Sequence, residues 1–198
     1  ICSHIIELAI IEAYHQYGKI VVSENAAGNK SIDSVFVDHY QSFMDALAYL
    51  KHKGYKRIGY CIGRESGSNS YFRQLAYKVF LKQYPQKEFV FTENYYFEDG
   101  QKVIDEISEL AEKPDALLVT SDVVAAGILT ACKNAHINVP KDMAIIGFDN
   151  QPIAKMMDIT TFEIPIATMG ERLFLHVLGK AINRHEELAV NLIERGTV

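Results

Sequence analysis

The sequence has few cysteines and no long apolar run, and both facts limit the classes of protein it can belong to. The cysteines are Cys2, Cys61 and Cys132. An odd number cannot pair completely, and none stands in a C-x-x-C pair or at metal-ligand spacing from a histidine. Cys61 and Cys132 fall in apolar patterns, which predicts reduced core residues. With no secretory h-region and no run of membrane-spanning length, we expect a cytoplasmic protein without membrane partners.

The chain also lacks positive charge. It carries 20 lysines and arginines against 25 aspartates and glutamates, which gives a formal net charge of −5. A DNA-binding surface needs a basic patch, so any contact with DNA must come from residues outside this sequence. Hydrophobic residues make up 48% of the 198 residues, which is ordinary for a globular protein. This length suffices for one domain or for two small lobes.

The clearest pattern runs over residues 116–150 and predicts a βαβ unit. Ala116–Val119 is a continuous apolar run, as expected for a parallel strand that is buried on both faces. The polar residues 120–122 follow and predict caps for a helix that begins near Val123. A second apolar strand is predicted over residues 143–148.

Two carboxylates belong to this unit. Asp122 and Asp149 follow the two predicted strands, at the sheet edge where small ligands bind in open α/β sheets. The competing interpretation is that both carboxylates only cap helices or turns.

The same stretch resembles a known family. Ser121-Asp122, the run I-N-V-P-K-D over 137–142 and the run I-G-F-D-N over 146–150 are similar to the N-D, V-P-x-D and G-F/Y-D-D/N motifs of LacI/GalR bacterial transcription regulators. They occur in the same order and at similar separations. The resemblance implies an α/β, periplasmic-binding-protein-like fold of type I, with two interwoven Rossmann-like lobes, parallel sheets and a ligand cleft between the lobes.

The resemblance extends along nearly the whole chain and predicts how it is divided. Residues 1–62 and 164–190 are assigned to a partial amino-terminal lobe, and residues 63–163 and 191–198 to a carboxyl-terminal lobe. Residues 1–3 are predicted to end a strand, so the DNA-binding headpiece and the first strands of the effector domain are expected to be missing. The helix predicted over 167–183 is apolar on a wide arc, which indicates burial against its own lobe or another subunit.

The family's effector contacts can be carried over residue by residue. Arg73 stands in R-Q-L-A, which resembles the family's R-x-x-G, and its five donors in a fixed fork suit paired hydroxyls or a carboxylate. Tyr95 lies five residues before Gly100, where the family has an aromatic residue, although a one-residue insertion would make it Tyr96. The predicted effector-binding residues are Arg73, Asp149, Ser121 and Tyr95, followed by Asp122, Asp38 and Glu24.

These residues predict an effector-binding and dimerisation domain of a LacI/GalR-type regulator. It would sense a sugar or sugar phosphate, control a carbohydrate-utilisation operon and bind operator DNA through the missing headpiece. Met156 and Met157 are the candidate homodimer contact. The alternative is a sugar-binding protein of an ABC import system, which shares the fold. No enzyme activity, metal or cofactor is expected, because the sequence has no G-x-S-x-G, H-x-x-E-H or G-x-G-x-x-G motif.

Overall fold

A computed structural model of the chain describes residues 8–198. The expected strand end at residues 1–3 and Cys2 therefore lie outside the described residues. A helix is present over Leu8–Glu12 (α1), and the chain continues as a tighter 3₁₀ turn over Ala13–Tyr17. No helix among the described residues is both long and apolar enough to cross a membrane.

The first sheet in this part of the chain has three parallel strands. They are β1 (Ile20–Val22), β2 (Ile32–Phe36) and β8 (His185–Glu187), in the order β1-β2-β8. All residues of β1 and β2 are buried, including the polar residues Asp33 and Ser34 of β2. The helix α7 (Ile166–Val177) contacts β1 and β2.

The second sheet is larger and forms the main core. Its order is β4-β3-β5-β6-β7-β9, and every neighbouring pair is parallel except β7 with β9. These strands are β3 (Ile58–Cys61), β4 (Val90–Phe91), β5 (Ala116–Val119), β6 (Ala144–Phe148), β7 (Thr160–Glu163) and β9 (Asn191–Ile193). The predicted α/β class with parallel sheets is confirmed.

Helices cover both faces of this sheet, which accounts for its continuous apolar strands. Side chains of α2 (His39–His52) and α3 (Ser68–Gln83) form one core cluster with the sheet. On the other face a second cluster includes α4 (Asp99–Glu109), α5 (Asp122–Asn134) and α6 (Pro152–Met156). Cys61 and Cys132 are buried free thiols, as predicted.

The structure corrects the predicted assignment of residues 38–62 to the amino-terminal lobe. The strand β3 pairs with β4 and β5 in the second sheet, and all four of its residues are buried there. The apolar stripe of α2 packs with it, because Phe43 contacts the ring of Tyr60 at a centroid distance of 4.8 Å. The chain therefore passes from the first sheet to the second just after β2.

The helix α7 also differs from its prediction. It ends at Val177, six residues before the predicted end, where Gly179 adopts a positive φ of 69°. His176 is its one fully buried residue, and apolar side chains such as Phe174 at 62% and Ile166 at 63% are exposed. The described part of this single chain therefore does not bury the apolar side chains of α7 as expected.

A close backbone approach fixes α4 against α5. A Cβ on Gly100 would lie 2.7 Å from Gly127 Cα and closer still to Gly127 C, and a Cβ on Gly127 would lie 2.8 Å from Phe97 C. Only glycine lets two backbones meet this closely. The contact positions the loop that leads into α4, which carries part of the candidate site.

A candidate ligand cleft at the start of α3

Two cavities flank the start of α3, and we name each after one of its residues. The Glu24 cavity, of about 390 Å³, lies between the ends of β1 and β2 and one side of α3. The Arg73 cavity, of about 320 Å³, lies between the ends of β3 and β5, the segment after β4, and the other side of α3. Of the predicted residues, Glu24 and Asp38 line the first cavity, and Arg73, Tyr95 and Ser121 line the second.

The Glu24 cavity has carboxylates on its first-sheet wall. Glu24 follows β1, is buried, and accepts a hydrogen bond from Ser68 Oγ at 2.5 Å, so it ties the end of β1 to the start of α3. Asp38 caps α2, because its Oδ1 accepts a hydrogen bond from Gln41 N at 2.9 Å. Phe72 and Leu75 supply apolar surface from α3.

Arg73 lies between aromatic and polar groups at the floor of its cavity. Its guanidinium carbon is 5.1 Å from the centre of the Phe148 ring, which is a cation–π contact. Its Nη2 lies 3.2 Å from His39 Nδ1. Burial, and secondly the charge of Arg73, lowers the pKa of His39 to about 3, so a neutral imidazole accepts this bond. The Nε of Arg73 is buried and has no hydrogen-bond partner among the described residues.

Asp149 stands near Arg73 on an unusual backbone. Its φ is 96° and that of Asn150 is 50°, so two consecutive residues without glycine's freedom occupy the left-handed region. Such conformations are costly and cluster at functional sites. Burial raises the pKa of Asp149, and the charge of Arg73 opposes that rise. No ion pair of 4.0 Å or less joins the two residues in the described structure. Asp149 lines neither cavity, and its Oδ2 accepts a hydrogen bond from Gln151 Nε2 at 3.4 Å.

A hydrogen-bond network holds this backbone, and the sequence analysis missed its members. Arg195 Nη2 donates to Asn150 Oδ1 at 2.7 Å, and Asn150 Nδ2 donates to Glu163 Oε1 at 2.9 Å. The backbone N–H of Asp149 donates to Phe162 O at 2.9 Å. The neighbouring strands β7 and β9 therefore determine where Asp149 lies.

Asp122 does not have its predicted role, because it faces the protein interior. Its side chain is fully buried, and its Oδ1 and Oδ2 accept from Thr161 Oγ1 and Gln151 N, both at 2.7 Å. Burial raises the pKa of this carboxyl to about 6. It lines neither cavity, so it connects α5 to β7 and to the loop after β6 instead of contacting a ligand. The predicted side-chain caps are also absent, since Ser121 is the N-cap residue but makes no side-chain cap bond.

The segment after β4 supplies the aromatic wall. The backbone N–H groups of Tyr95 and Tyr96 both donate to Asp99 Oδ2, at 2.7 and 2.8 Å, which shapes the turn before α4. Tyr95 lines the Arg73 cavity, whereas Tyr96 is not among its lining residues. Half of the Tyr95 side chain is exposed, and Gly63 leaves room for its ring.

Further residues of the Arg73 cavity were missed by the sequence analysis. They are Ile62, Gly63, Arg64, Ser70, Asn94 and Thr120. They belong to strand ends and loops that come together only when β3, β4 and β5 pair, and no local pattern marks them. Across residues 8–198 no group of three or more His, Cys, Asp or Glu side chains has a metal-binding arrangement.

Comparison with known proteins identifies the family. Residues 47–198 match the family model described as periplasmic binding protein-like domain. The chain is 33% identical over 188 residues to the HTH-type transcriptional regulator YkvZ of Bacillus subtilis, covering 91% of this chain and 58% of that protein. It is 29% identical over 182 residues to the HTH-type transcriptional repressor CytR of Escherichia coli K12, covering 89% and 53%. The chain thus spans little more than half the length of these relatives.

Solved structures agree with the sequence relatives. A LacI regulator from Lactobacillus casei with bound Tris matches with a TM-score of 0.83 at 28% identity, over 98% of this chain and 74% of that chain. The same regulator with bound sucrose matches with a TM-score of 0.84 at 27% identity, over 97% and 76%. The predicted resemblance is confirmed, and the chain belongs to the periplasmic binding protein-like domains of the kind found in LacI-type transcription regulators.

Proposed function

We propose that this chain is the effector-binding and dimerisation part of a LacI-type transcription regulator, and that its effector is a sugar. The observation that carries the proposal is Arg73, which lines the cavity together with Tyr95 and Ser121 and whose buried Nε has no hydrogen-bond partner among the described residues. The relatives named above are regulators, which favours this function over an import protein and over an enzyme. A regulator of this kind acts in the cytoplasm.

The groups around the two cavities suit a ligand that is rich in hydroxyls. Arg73 offers several donors in its cavity, and Glu24 and Asp38 offer carboxylate acceptors in the Glu24 cavity. A charged group can bind two hydroxyls at once, and the exposed face of Tyr95 can stack on the apolar face of a sugar ring. The Lactobacillus casei regulator has been crystallised with glucose and with sucrose, which supports the same ligand class here.

Ligand binding in the cleft would act by changing the position of one sheet relative to the other. The contact between Glu24 and Ser68 joins the end of β1 to α3, and the Glu24 cavity is lined by residues that follow β1 and β2 and by residues of α3, so a ligand there touches elements that belong to both sheets. A ligand shifts such an arrangement only by its different affinities for the two states. In a complete regulator, that shift would alter how the headpieces of a homodimer are presented to operator DNA.

The dimer contact that we propose is the surface around α6. Met156 on this helix is 83% exposed, whereas Met157 packs against the core and is available only in part. An unbranched apolar side chain at a surface fits a contact between subunits.

The proposal can be tested with a thermal-shift screen against glucose, sucrose, glucose 6-phosphate and cytidine, followed by calorimetry on any ligand found. A ligand that binds only the folded state raises the melting temperature. We expect Arg73→Gln to abolish measurable binding, because it removes the guanidinium while it keeps the first carbons of the side chain. The control is Arg57→Gln, because Arg57 bonds to Lys113 O and Asp115 and lines neither cavity. Unchanged affinity in folded Arg73→Gln would remove Arg73 from the site.

A further inference from the structure

His39 connects the two cavities, because it lines one of them and its side chain contacts a residue that lines the other. It is the first residue of α2 and lines the Glu24 cavity. Its Nδ1 lies 3.2 Å from Nη2 of Arg73, which lines the Arg73 cavity. Since α2 follows β2, this contact ties the guanidinium to the point where the chain passes from the first sheet to the second.

The chemistry of the two side chains fixes the direction of this hydrogen bond. A guanidinium has N–H donors and no acceptor, so Nδ1 of His39 must accept and cannot carry a hydrogen. A protonated imidazole has an N–H group at each nitrogen and would bring two donors and two positive charges together. The contact therefore requires a neutral ring with its hydrogen on Nε2. Burial, and secondly the charge of Arg73, lowers the pKa of His39 to about 3, which agrees with that state.

Arg73 has few other contacts that could orient it. Burial lowers the pKa of its guanidinium, so the charged group has been taken out of water. Its contact with the Phe148 ring, at 5.1 Å, stabilises the positive charge but does not fix where the N–H groups point. Among the described residues it forms no ion pair of 4.0 Å or less, and His39 is the acceptor to which it donates. The hydrogen bond to His39 therefore sets the orientation of the guanidinium in this part of the chain.

We propose that His39 is a positioning residue for effector binding, whose Nδ1 holds the Arg73 guanidinium in the orientation that meets the ligand. The inference rests on the proposed function. A carboxylate in the place of the imidazole would form an ion pair with Arg73 and compete with the ligand for its donors. A neutral imidazole accepts one hydrogen bond and leaves the positive charge and the other N–H groups for oxygen atoms of the effector.

The first test compares His39→Leu with His39→Asn by calorimetry on the full-length protein, with glucose and sucrose as probes. Leucine removes the acceptor, whereas Oδ1 of an asparagine can take the place of Nδ1. We expect His39→Leu to weaken binding about fivefold to tenfold, the value of one hydrogen bond, and His39→Asn to bind within about twofold of the wild type. The matched control is His52→Leu, because His52 is exposed at the other end of α2 and lines neither cavity. This control should bind as the wild type does.

Monodeoxy analogues of glucose separate positioning from a general disturbance of the site. The analogue that lacks the hydroxyl bound by Arg73 should bind weakly to the wild type, and His39→Leu should not weaken its binding further. A merely structural defect would weaken the binding of every probe by the same factor. The inference is contradicted if His39→Leu and His39→Asn lose affinity equally, or if folded His39→Leu binds every probe as the wild type does.

A second measurement needs no ligand and no folded leucine variant. A long-range hydrogen–nitrogen NMR spectrum of the wild type shows which ring nitrogens carry a hydrogen, and the signals of His39 are those that disappear in His39→Asn. From about pH 8 down to about pH 5 we expect a hydrogen on Nε2 and none on Nδ1. A ring that titrates near its ordinary pKa of 6.5, or that carries its hydrogen on Nδ1, contradicts the inference even where sugars bind. Failure of every probe to bind the wild type contradicts the sugar hypothesis, whereas the state of this ring still decides whether His39 holds Arg73.

Discussion

Replacing Gly127 by alanine should destabilise this protein, although alanine is the better helix former. Gly127 lies within α5, where that helix meets the loop that leads into α4. A Cβ at this position would lie 2.8 Å from Phe97 C and closer still to Phe97 O. Both atoms belong to the backbone, so no side chain can rotate away and the two segments must separate.

The magnitude follows from two opposing effects. Alanine in place of a helical glycine favours folding by about 1 kcal/mol. Overpacking of a core costs about 1–3 kcal/mol, and sometimes more when only backbone can move. Because only backbone can move here, we take the upper overpacking cost of about 3 kcal/mol, and after the gain of about 1 kcal/mol we expect Gly127→Ala to lower the free energy of unfolding by about 2 kcal/mol.

Gly170→Ala is the matched control. Gly170 also lies inside a helix, α7, but an added Cβ would meet nothing within 4 Å. This variant should be more stable than the wild type by about 0.5–1 kcal/mol, from propensity alone. The two substitutions are chemically identical, so the difference of about 3 kcal/mol between them measures the close approach of α4 and α5.

The assay is urea unfolding followed by far-ultraviolet circular dichroism, because the chain contains no tryptophan to report by fluorescence. The m-value, which is the slope of the free energy of unfolding against urea concentration, should be the same in the variants and the wild type. A constant m-value would mean that stability, and not the compactness of either state, has changed. Gly127→Ala should also weaken effector binding, since Phe97 stands two residues after Tyr95. If Gly127→Ala were as stable as Gly170→Ala, the geometry described for this contact would be wrong.

Two other predictions address charge and assembly. The pKa of His39 is lowered to about 3 in the folded state from an ordinary value of 6.5, so as pH falls through this window the unfolded chain takes up a proton that the folded chain does not. The protein therefore loses stability over that range. Between about pH 6.5 and about pH 4, the free energy of unfolding measured in urea should fall less in His39→Gln than in the wild type. Equal losses in the two proteins would refute a neutral, buried histidine. Met156→Glu should shift sedimentation of the full-length protein from dimer toward monomer, whereas the exposed Lys133→Glu should not. A dimer that persists in Met156→Glu would exclude the proposed α6 contact.

The central βαβ unit could be predicted from the sequence because its signal is local. The apolar run of β5, the alanine-rich α5 and the apolar run of β6 each follow a periodicity that neighbouring residues alone define. The partners of β3 could not be predicted in this way. An apolar strand has the same sequence pattern in either sheet, and only the packing of α2 with β3 decides which sheet β3 joins.

The two carboxylates of that unit show which features of the site cannot be predicted from neighbouring residues in the sequence. Asp122 and Asp149 both follow a central strand, and the sequence analysis predicted both as effector contacts, with Asp149 ranked ahead. In the structure, Gly147 leaves open the space that the Asp122 carboxylate fills, since a Cβ on Gly147 would lie 3.2 Å from Asp122 Cγ and closer still to Oδ1. Thr161 and the backbone of Gln151 then satisfy that carboxylate inside the protein.

Asp149 remains beside the ligand cleft because contacts with neighbouring strands hold it there. Its positive φ turns the chain after β6, and the bonds from Arg195 to Asn150 and from Asn150 to Glu163 hold that turn. Arg195 and Glu163 are distant in sequence, so their part in placing Asp149 is a tertiary effect. A strand end in a parallel sheet therefore identifies the edge where a ligand can bind, but contacts from neighbouring strands decide which carboxylate lies near Arg73 and which is buried.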